Sequence, residues 1–207
     1  MSDATATISS TRPMPGMGVY NLKLGMWVFL LSEVMFFTGL IGAYIILRFA
    51  TPEAFTAPGQ VLNVGLTAFN TFVLICSSVT MVKAFAAVEQ GNQRDLRLWL
   101  LATTFLGAFF LSIQAIEYYK LVEHGFVPQV ATYAAGGAPL YGMTFYTLTG
   151  FHGAHVTIGV LALIFTAVKA FRGGYTVADH GGVEIMGLYW HFVDLVWIIL
   201  FTIVYLI

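Results

Sequence analysis

Five apolar runs, each about as long as a bilayer is thick, restrict what this chain can fold into more than any other feature of its sequence. A helix needs roughly 20 apolar residues to cross a membrane, and every run is near or above that length. The runs cover about residues 24–48, 63–88, 96–119, 140–170 and 184–207. All six prolines fall outside them, as expected because proline removes a helical hydrogen bond. The sequence therefore predicts an all-α integral membrane protein with five transmembrane helices.

The composition supports one membrane domain with a short leading tail. Charged residues make up 9% of the chain, against about 25% in soluble domains. The net charge of −1 argues against nucleic acid as a partner. Residues 1–20 are rich in Ser, Thr and Ala and contain two prolines, which is typical of a flexible tail. We expect residues 21–207 to form a single five-helix bundle.

Lysine and arginine are distributed unequally between the two ends of these runs. Seven of the nine lie on the side that carries the N-terminus: Arg12, Lys23, Lys83, Arg94, Arg97, Lys169 and Arg172. Only Arg48 and Lys120 lie on the other side. Cytoplasmic loops carry the excess of basic residues in membrane proteins. The pattern therefore predicts a cytoplasmic N-terminus and a periplasmic or outside C-terminus.

The last run, YWHFVDLVWIILFTIVYLI, contains two polar side chains. His191 and Asp194 are three residues apart, so a helix places both on the same face. An aspartate at mid-span costs about 2.5–3.5 kcal/mol on insertion scales, and such groups therefore face protein rather than lipid. The pattern predicts that the last helix packs against neighbouring helices.

Glu33, in WVFLLSEVMFF, is the only interior charge of the first run, which ends at Arg48. At 1.5 Å per residue it lies about 13 Å from the cytoplasmic end, near the expected level of His191 and Asp194. Contact among these three side chains would make one polar cluster in the inner half of the membrane. A carboxyl group at this depth is expected to be protonated or paired. Two interpretations remain open: a proton relay, and a structural carboxyl group hydrogen-bonded to another helix.

Two histidines, His152 and His155, are three residues apart in the fourth run, within the glycine-rich sequence GFHGAH. Such a pair could begin a metal or haem site. A haem or haem-copper centre needs more ligating histidines than the runs contain, because His124 and His180 fall in predicted loops. Glycines let helix backbones approach closely. We therefore expect both histidines to hydrogen-bond between packed helices, with no metal or cofactor held by this chain.

Gln114, Glu117 and Tyr118, in SIQAIEYY, are predicted where the third run leaves the membrane. They fit either a polar collar at headgroup level or contacts with a partner subunit. The chain contains no phosphate-binding loop, nucleophile elbow, C-x-x-C or H-E-x-x-H motif. We therefore expect no catalytic residue and no active site within it.

Four of these segments, taken in order, resemble subunit III of the haem-copper terminal oxidases. They are WVFLLSEVMFF, SIQAIEYY, YGMTFYTLTGFHGAHVTIG and GLYWHFVDLVWIILFTIVYL, and the resemblance runs from about residue 22 to the end. Long members of that family have seven helices, and this chain resembles the short bacterial form that lacks the first two. The resemblance implies an accessory, cofactor-free subunit of a proton-translocating respiratory complex in the bacterial inner membrane.

The resemblance also implies partners and functional residues. Subunit I would be the direct partner, with subunit II and further respiratory-complex subunits nearby and with haems and copper in the partners. Members of the family bind phospholipid in a V-shaped cleft between their first two helices and the remaining bundle, stabilise subunit I and support proton uptake during oxygen reduction. Glu33 matches the family's carbodiimide-reactive glutamate. The family's other characteristic intramembrane polar positions match His152, His155, Glu117, His191 and Asp194.

Several alternatives stay open at this level. A cytochrome c oxidase is favoured over a quinol oxidase, and the accessory subunit of a nitric oxide reductase is a related possibility. A different class is a small proton-linked membrane transporter, with Glu33 and the histidines on a proton path. Against a transporter, the chain shows no internal repeat and no proline break within a run.

Overall fold

The computed structural model describes residues 17–55, 62–124 and 139–206. For residues 17–20 and 139 it describes the backbone alone. Its long elements are the helices α1 (Met17–Ala50), α2 (Val64–Glu89), α3 (Gln93–Glu123), α4 (Pro139–Phe171) and α5 (Gly181–Phe201). A 3₁₀ turn (Pro52–Ala54) follows α1, and a π-helical turn (Thr202–Leu206) continues α5. All five helices are long and apolar enough to cross a membrane, which confirms the predicted all-α, five-span fold within these ranges.

Capping side chains mark the first residues of α2 and α3. Asn63 caps α2 by accepting a hydrogen bond from the Leu66 amide at 3.1 Å. Asn92 caps α3 in the same way, so this helix begins at Gln93, before the apolar run that predicted it. Helix α1 begins at Met17, within the predicted tail of residues 1–20. Residues 1–16 of that tail lie outside the described residues.

Helices α2, α3, α4 and α5 form a closed ring in which each packs against two neighbours. Helix α2 packs against α3, α3 against α4, α4 against α5, and α5 against α2. The ring encloses these large, fully buried side chains: Trp190, Trp197, Tyr141, Phe110, Phe145, Leu74 and Met81. Trp197 Nε1 donates to Thr71 Oγ1 at 2.9 Å, so this core indole has its hydrogen-bond partner.

Trp190 of α5 is held between two glycines of the neighbouring helices. A Cβ atom added at Gly107 of α3 would lie 2.6 Å from Trp190 Cη2, and one at Gly159 of α4 would lie 2.9 Å from Trp190 Cζ3. Only glycine leaves room for the indole at both positions. Trp190 Nε1 also donates to Ser77 Oγ of α2 at 2.9 Å. One side chain of α5 thus contacts the other three helices of the ring.

Helix α1 lies outside the ring, against α5 and, over a smaller area, α4. Its buried side chains Leu30, Phe37 and Tyr44 are seven residues apart, so they form a single stripe that recurs every two turns. Only 17% of its most apolar segment is buried, against 50% in α5. Most of the circumference of α1 therefore faces outward.

Candidate functional site

A groove of about 620 Å³ lies where α1 meets α4 and α5, and we refer to it as the α1 groove. Its walls are largely apolar and comprise Met26 and Phe29 of α1, Ile158, Ala162 and Phe165 of α4, and Ile185, Met186 and Tyr189 of α5. Glu33 and His155 line one end of it, and Lys169 and Tyr175 line the other. A largely apolar groove with polar groups at both ends suits an amphipathic ligand.

Glu33 and His155 form a hydrogen bond across the contact between α1 and α4. His155 Nε2 lies 3.0 Å from Glu33 Oε2, and His155 Nδ1 lies 2.7 Å from the carbonyl oxygen of Phe151. A carbonyl oxygen can only accept, so Nδ1 must carry a proton. The contact at Nε2 then requires one further proton, held by Glu33 as a carboxylic acid or by His155 as an imidazolium. The pair shares that proton and is electrically neutral in both arrangements.

The Glu33–His155 pair is partly open to the α1 groove. The side chains of Glu33 and His155 retain 18% and 16% of their exposure. Phe37 packs edge-on against the imidazole, with 5.2 Å between ring centres. The Tyr189 hydroxyl donates to the His155 carbonyl oxygen at 2.9 Å. Aromatic neighbours therefore hold the imidazole in place while one side of the pair stays accessible from the groove.

Charged groups gather at the opposite end of the α1 groove. Lys23 Nζ of α1 forms an ion pair with Glu184 Oε1 of α5 at 2.5 Å. Lys169 Nζ lies 4.5 Å from the centre of the Tyr175 ring, within reach of a cation–π interaction. Burial raises the pKa of the Tyr175 hydroxyl, with a hydrogen bond to Thr166 opposing it, so the ring stays uncharged beneath the lysine. Lys169 and Tyr175 line this end of the groove, and the Lys23–Glu184 ion pair joins α1 to α5 beside it.

His191 and Asp194 meet through a serine of α2 rather than through each other. Ser78 Oγ donates to Asp194 Oδ2 at 2.7 Å, and His191 Nδ1 lies 3.2 Å from the same hydroxyl oxygen. Glu33 is not part of this cluster, since it pairs with His155 instead. The polar groups expected at one level of the membrane are thus divided between two contacts, one on the α1 side and one inside the ring.

The remaining predicted residues, His152 and Glu117, lie inside the ring. His152 is fully buried and stacks on Trp197, with ring centres 4.8 Å apart. Neither of its ring nitrogens has a hydrogen-bond partner within the described part of the chain, so its observed contacts are aromatic. Glu117 Oε1 lies 2.9 Å from Thr67 Oγ1, which joins α3 to α2. The structure does not bring these two residues into the α1 groove.

Sequence reasoning missed the hydroxyl groups that join the helices. Ser77 and Ser78 bind Trp190 and the His191–Asp194 pair, and Thr67 binds Glu117. Serine and threonine are common at helix contacts in membranes, so a single sequence does not single them out. Across residues 17–55, 62–124 and 139–206, no group of three or more His, Cys, Asp or Glu side chains could hold a metal ion.

Comparison with known proteins finds relatives along almost the whole chain. The family model described as cytochrome c oxidase subunit III matches residues 16–207. The probable cytochrome c oxidase subunit 3 of Mycobacterium tuberculosis (strain ATCC 25618 / H37Rv) is 40% identical over 90% of this chain and 88% of the relative. Cytochrome c oxidase subunit 3 of Corynebacterium diphtheriae is 38% identical over 90% and 88%. That of Synechocystis sp. is 38% identical over 99% and 84%.

Proposed function

Because this chain belongs to the cytochrome c oxidase subunit III family, we propose that it is the accessory, cofactor-free subunit III of a bacterial cytochrome c oxidase. Members of that family associate with other oxidase subunits, and the chain is a multi-pass membrane protein. The proposed location is the bacterial inner membrane, with the N-terminus in the cytoplasm. The chain packs against subunit I and stabilises it, while the haems and copper of the partners carry out oxygen reduction.

The proposed ligand of the α1 groove is a phospholipid. An acyl chain suits the apolar walls, and Lys169 at the end of the groove can contact a phosphate. Lys169 lies near the C-terminal end of α4, on the side that carries the excess of basic residues. That position corresponds to the cytoplasmic leaflet in the proposed orientation. The α1 groove is the observation that carries the lipid-binding part of the function.

Support of proton uptake is assigned to the Glu33–His155 pair. The pair holds one exchangeable proton, remains neutral when that proton moves between its two members, and is accessible from the α1 groove. A neutral pair is less costly to bury in a bilayer than a lone carboxylate. Such a pair can hold a proton inside the membrane beside the catalytic subunit without a net charge; releasing that proton leaves one negative charge on Glu33 until the next proton is taken up.

Purification of the tagged chain from native membranes tests the assignment. We expect the chain to co-purify with a haem-containing partner that oxidises cytochrome c, and its isolated form to contain no haem. Oxidation of quinol or reduction of nitric oxide by the purified complex would indicate the related alternatives. Proton-linked uptake by the chain alone in liposomes, without a haem-containing partner, would contradict the accessory role and indicate a transporter.

A lysine substitution tests the lipid site within the same complex. We expect Lys169→Gln to reduce the number of phospholipids retained per complex, as counted by native mass spectrometry, because the cation at the end of the α1 groove is lost. Lys120→Gln is the matched control, since Lys120 lies in the last turn of α3, on the opposite side, and does not line the groove. Equal lipid counts in the two variants and the unchanged complex would rule out Lys169 as a headgroup contact.

A further inference from the structure

A second groove lies on the other side of α4, between α4 and α3, and we refer to it as the α3–α4 groove. Its volume is about 320 Å³, and residues of these two helices alone line it. The lining includes Gln114, Tyr118, Thr149, Gly150, Gly153 and Thr157. Since α3 and α4 are neighbours in the ring, a groove formed only by them opens on the outer face of the bundle.

Gln114 is an unusual residue to find beneath such a groove. Gln114 is only 5% exposed, and its Oε1 has no hydrogen-bond partner among the described residues. Its amide hydrogen-bonds the Tyr118 side chain, and its Nε2 lies 3.5 Å from the Thr149 carbonyl oxygen, so the acceptor Oε1 is the atom left without a partner. Leaving a buried acceptor without a donor is costly inside a membrane, where no water replaces the missing bond.

The other polar groups of the α3–α4 groove do have partners inside the chain. The Tyr118 hydroxyl lies 2.5 Å from Thr149 Oγ1, and Thr149 Oγ1 donates to the Phe145 carbonyl oxygen at 2.6 Å. Thr149 has one hydroxyl proton, so Tyr118 must donate to it. Thr157 Oγ1 donates to the Gly153 carbonyl oxygen at 2.7 Å. The Gln114 amide is therefore the group of this groove whose hydrogen bonding is incomplete.

The two glycines determine which kind of molecule can reach this amide. A Cβ atom added at Gly150 meets nothing within 4 Å, and one added at Gly153 has only the Gln114 amide near it, at 3.8 Å or more. Neither glycine is therefore required by packing inside the chain. Small residues on an outer helix face let a second helix backbone approach closely. A lipid acyl chain can fill the space, but it offers no hydrogen-bond donor to Gln114.

We propose, on the basis of the function proposed above, that the α3–α4 groove receives a transmembrane helix of a partner oxidase subunit whose side chain hydrogen-bonds the Gln114 amide. The contacting residue is a donor such as serine, threonine, asparagine or tryptophan. It packs over Gly150 and Gly153 and supplies the bond that the chain lacks by itself. The α1 groove is left to lipid, so the two sides of α4 bind different classes of ligand.

The test compares variants of the tagged chain in native membranes. We expect Gly150→Leu to reduce co-purification of the haem-containing partner by about tenfold, because leucine fills the groove. Gly39→Leu is the matched control: its added Cβ also meets nothing within 4 Å, but it lies on α1. We expect the control to retain the partner. Full retention in both variants overturns the groove as a docking site, while the function proposed above still stands if the unchanged chain binds the partner.

Gln114→Met separates assembly from folding. Methionine has a similar size and no unpaired acceptor, so the isolated chain should be as stable as the unchanged chain or more stable on heating in detergent. Loss of the intersubunit hydrogen bond should weaken the complex by about threefold, as expected for a bond of that kind in a membrane. A variant that weakens the isolated chain and leaves assembly unchanged overturns the proposed role of Gln114.

A photo-crosslinker at Thr157 identifies the occupant directly. We expect an adduct with a different oxidase subunit, recognised by its mass. An adduct with a second copy of this chain, or with phospholipid alone, overturns the proposed occupant. If the unchanged chain co-purifies with no oxidase subunit, the function proposed above fails first, and that failure is seen before any groove variant is measured.

Discussion

The ring of α2–α5 and the outer helix α1 are held by different kinds of contact. In the ring, Trp190 is enclosed by Gly107, Gly159 and Ser77 at distances that admit no added atom. Helix α1 is held by one buried side chain every two turns and by polar contacts at two levels. The ring is therefore expected to set stability, while α1 is expected to yield more readily and to admit ligands along its edge.

This difference shows how a membrane bundle can combine a rigid core with a binding site. Apolar burial does not separate the two regions, because lipid is as apolar as leucine and gives little drive for helices to associate. Close packing around small residues and interhelical hydrogen bonds decide the strength of each contact. The α1 groove lies beside the helix with fewer such contacts, and the ring keeps its own packing intact.

The strongest test of the comparison overpacks the ring. We expect Gly107→Leu to destabilise the chain by about 3 kcal/mol or prevent folding, because the new side chain overlaps the Trp190 indole. Thermal unfolding of the purified chain in detergent measures the change. Gly39→Leu on α1 is the control, with open space at its Cβ and little expected effect. Equal melting temperatures for Gly107→Leu and Gly39→Leu would show that the packing around the Trp190 indole can adjust to a larger side chain.

The next test removes a polar contact inside the ring. We expect Asp194→Leu to cost about 1–3 kcal/mol, because it removes the buried carboxylate to which the Ser78 hydroxyl donates. Asp194→Asn should cost less, since the amide oxygen still accepts from Ser78. Unfolding of both variants by denaturing detergent provides the comparison. If they are equally stable, the hydrogen bond to Ser78 contributes nothing to the ring.

A smaller effect is expected from the polar contact of α1. Glu33→Leu should cost about 1 kcal/mol, because it leaves His155 Nε2 unpaired beside the α1 groove. Glu33→Gln should retain most of the stability, since its amide can donate to Nε2 as a protonated carboxyl group does. Infrared spectra of the unchanged chain and Glu33→Gln would show whether a carboxylic acid band is lost. A loss of folding in Glu33→Gln would indicate that an ionised carboxylate is required.

The smallest effect is expected at the end of α1. Lys23→Ala removes the ion pair with Glu184, and the side chains of this pair are 38% and 26% exposed. We expect a cost of about 0.2–1 kcal/mol that decreases with salt, as for other exposed ion pairs. Melting curves at low and high salt measure both properties. A cost as large as that of Asp194→Leu would mean that α1 is anchored as firmly as the ring helices.

Much of the fold followed from the sequence because a bilayer imposes a simple rule on length and polarity. Each apolar run became a helix, and the resemblance to oxidase subunit III was confirmed by the family match over residues 16–207. Helix ends were less predictable, since they depend on single capping residues such as Asn92. The placement of α1 outside the ring could not be read from hydropathy, because lipid-facing and protein-facing residues are equally apolar in a membrane.

Partners of the polar residues were the least predictable feature. Counting residues fixes the depth of a side chain along the membrane normal, and on that basis Glu33 was grouped with His191 and Asp194. Depth does not fix the direction around the helix axis, and the structure pairs Glu33 with His155 on a helix 122 residues later in the chain. The α3–α4 groove could not be predicted either. The sequence does not reveal that the Oε1 atom of Gln114 lacks a hydrogen-bond partner, or that Gly150 lies beside it.

The distance along the chain between Glu33 and His155 has a consequence for biosynthesis. Helix α1 is made before the helix that carries its hydrogen-bond partner, with two further helices between them in the chain. During that interval the nascent chain must keep an acidic residue in the bilayer without its final partner. Helix α1 has the highest mean hydropathy of the five spans, 2.0, which favours its insertion by itself. The high hydropathy of α1 thus favours its insertion into the membrane before α4 is synthesised, as well as its place in the folded bundle.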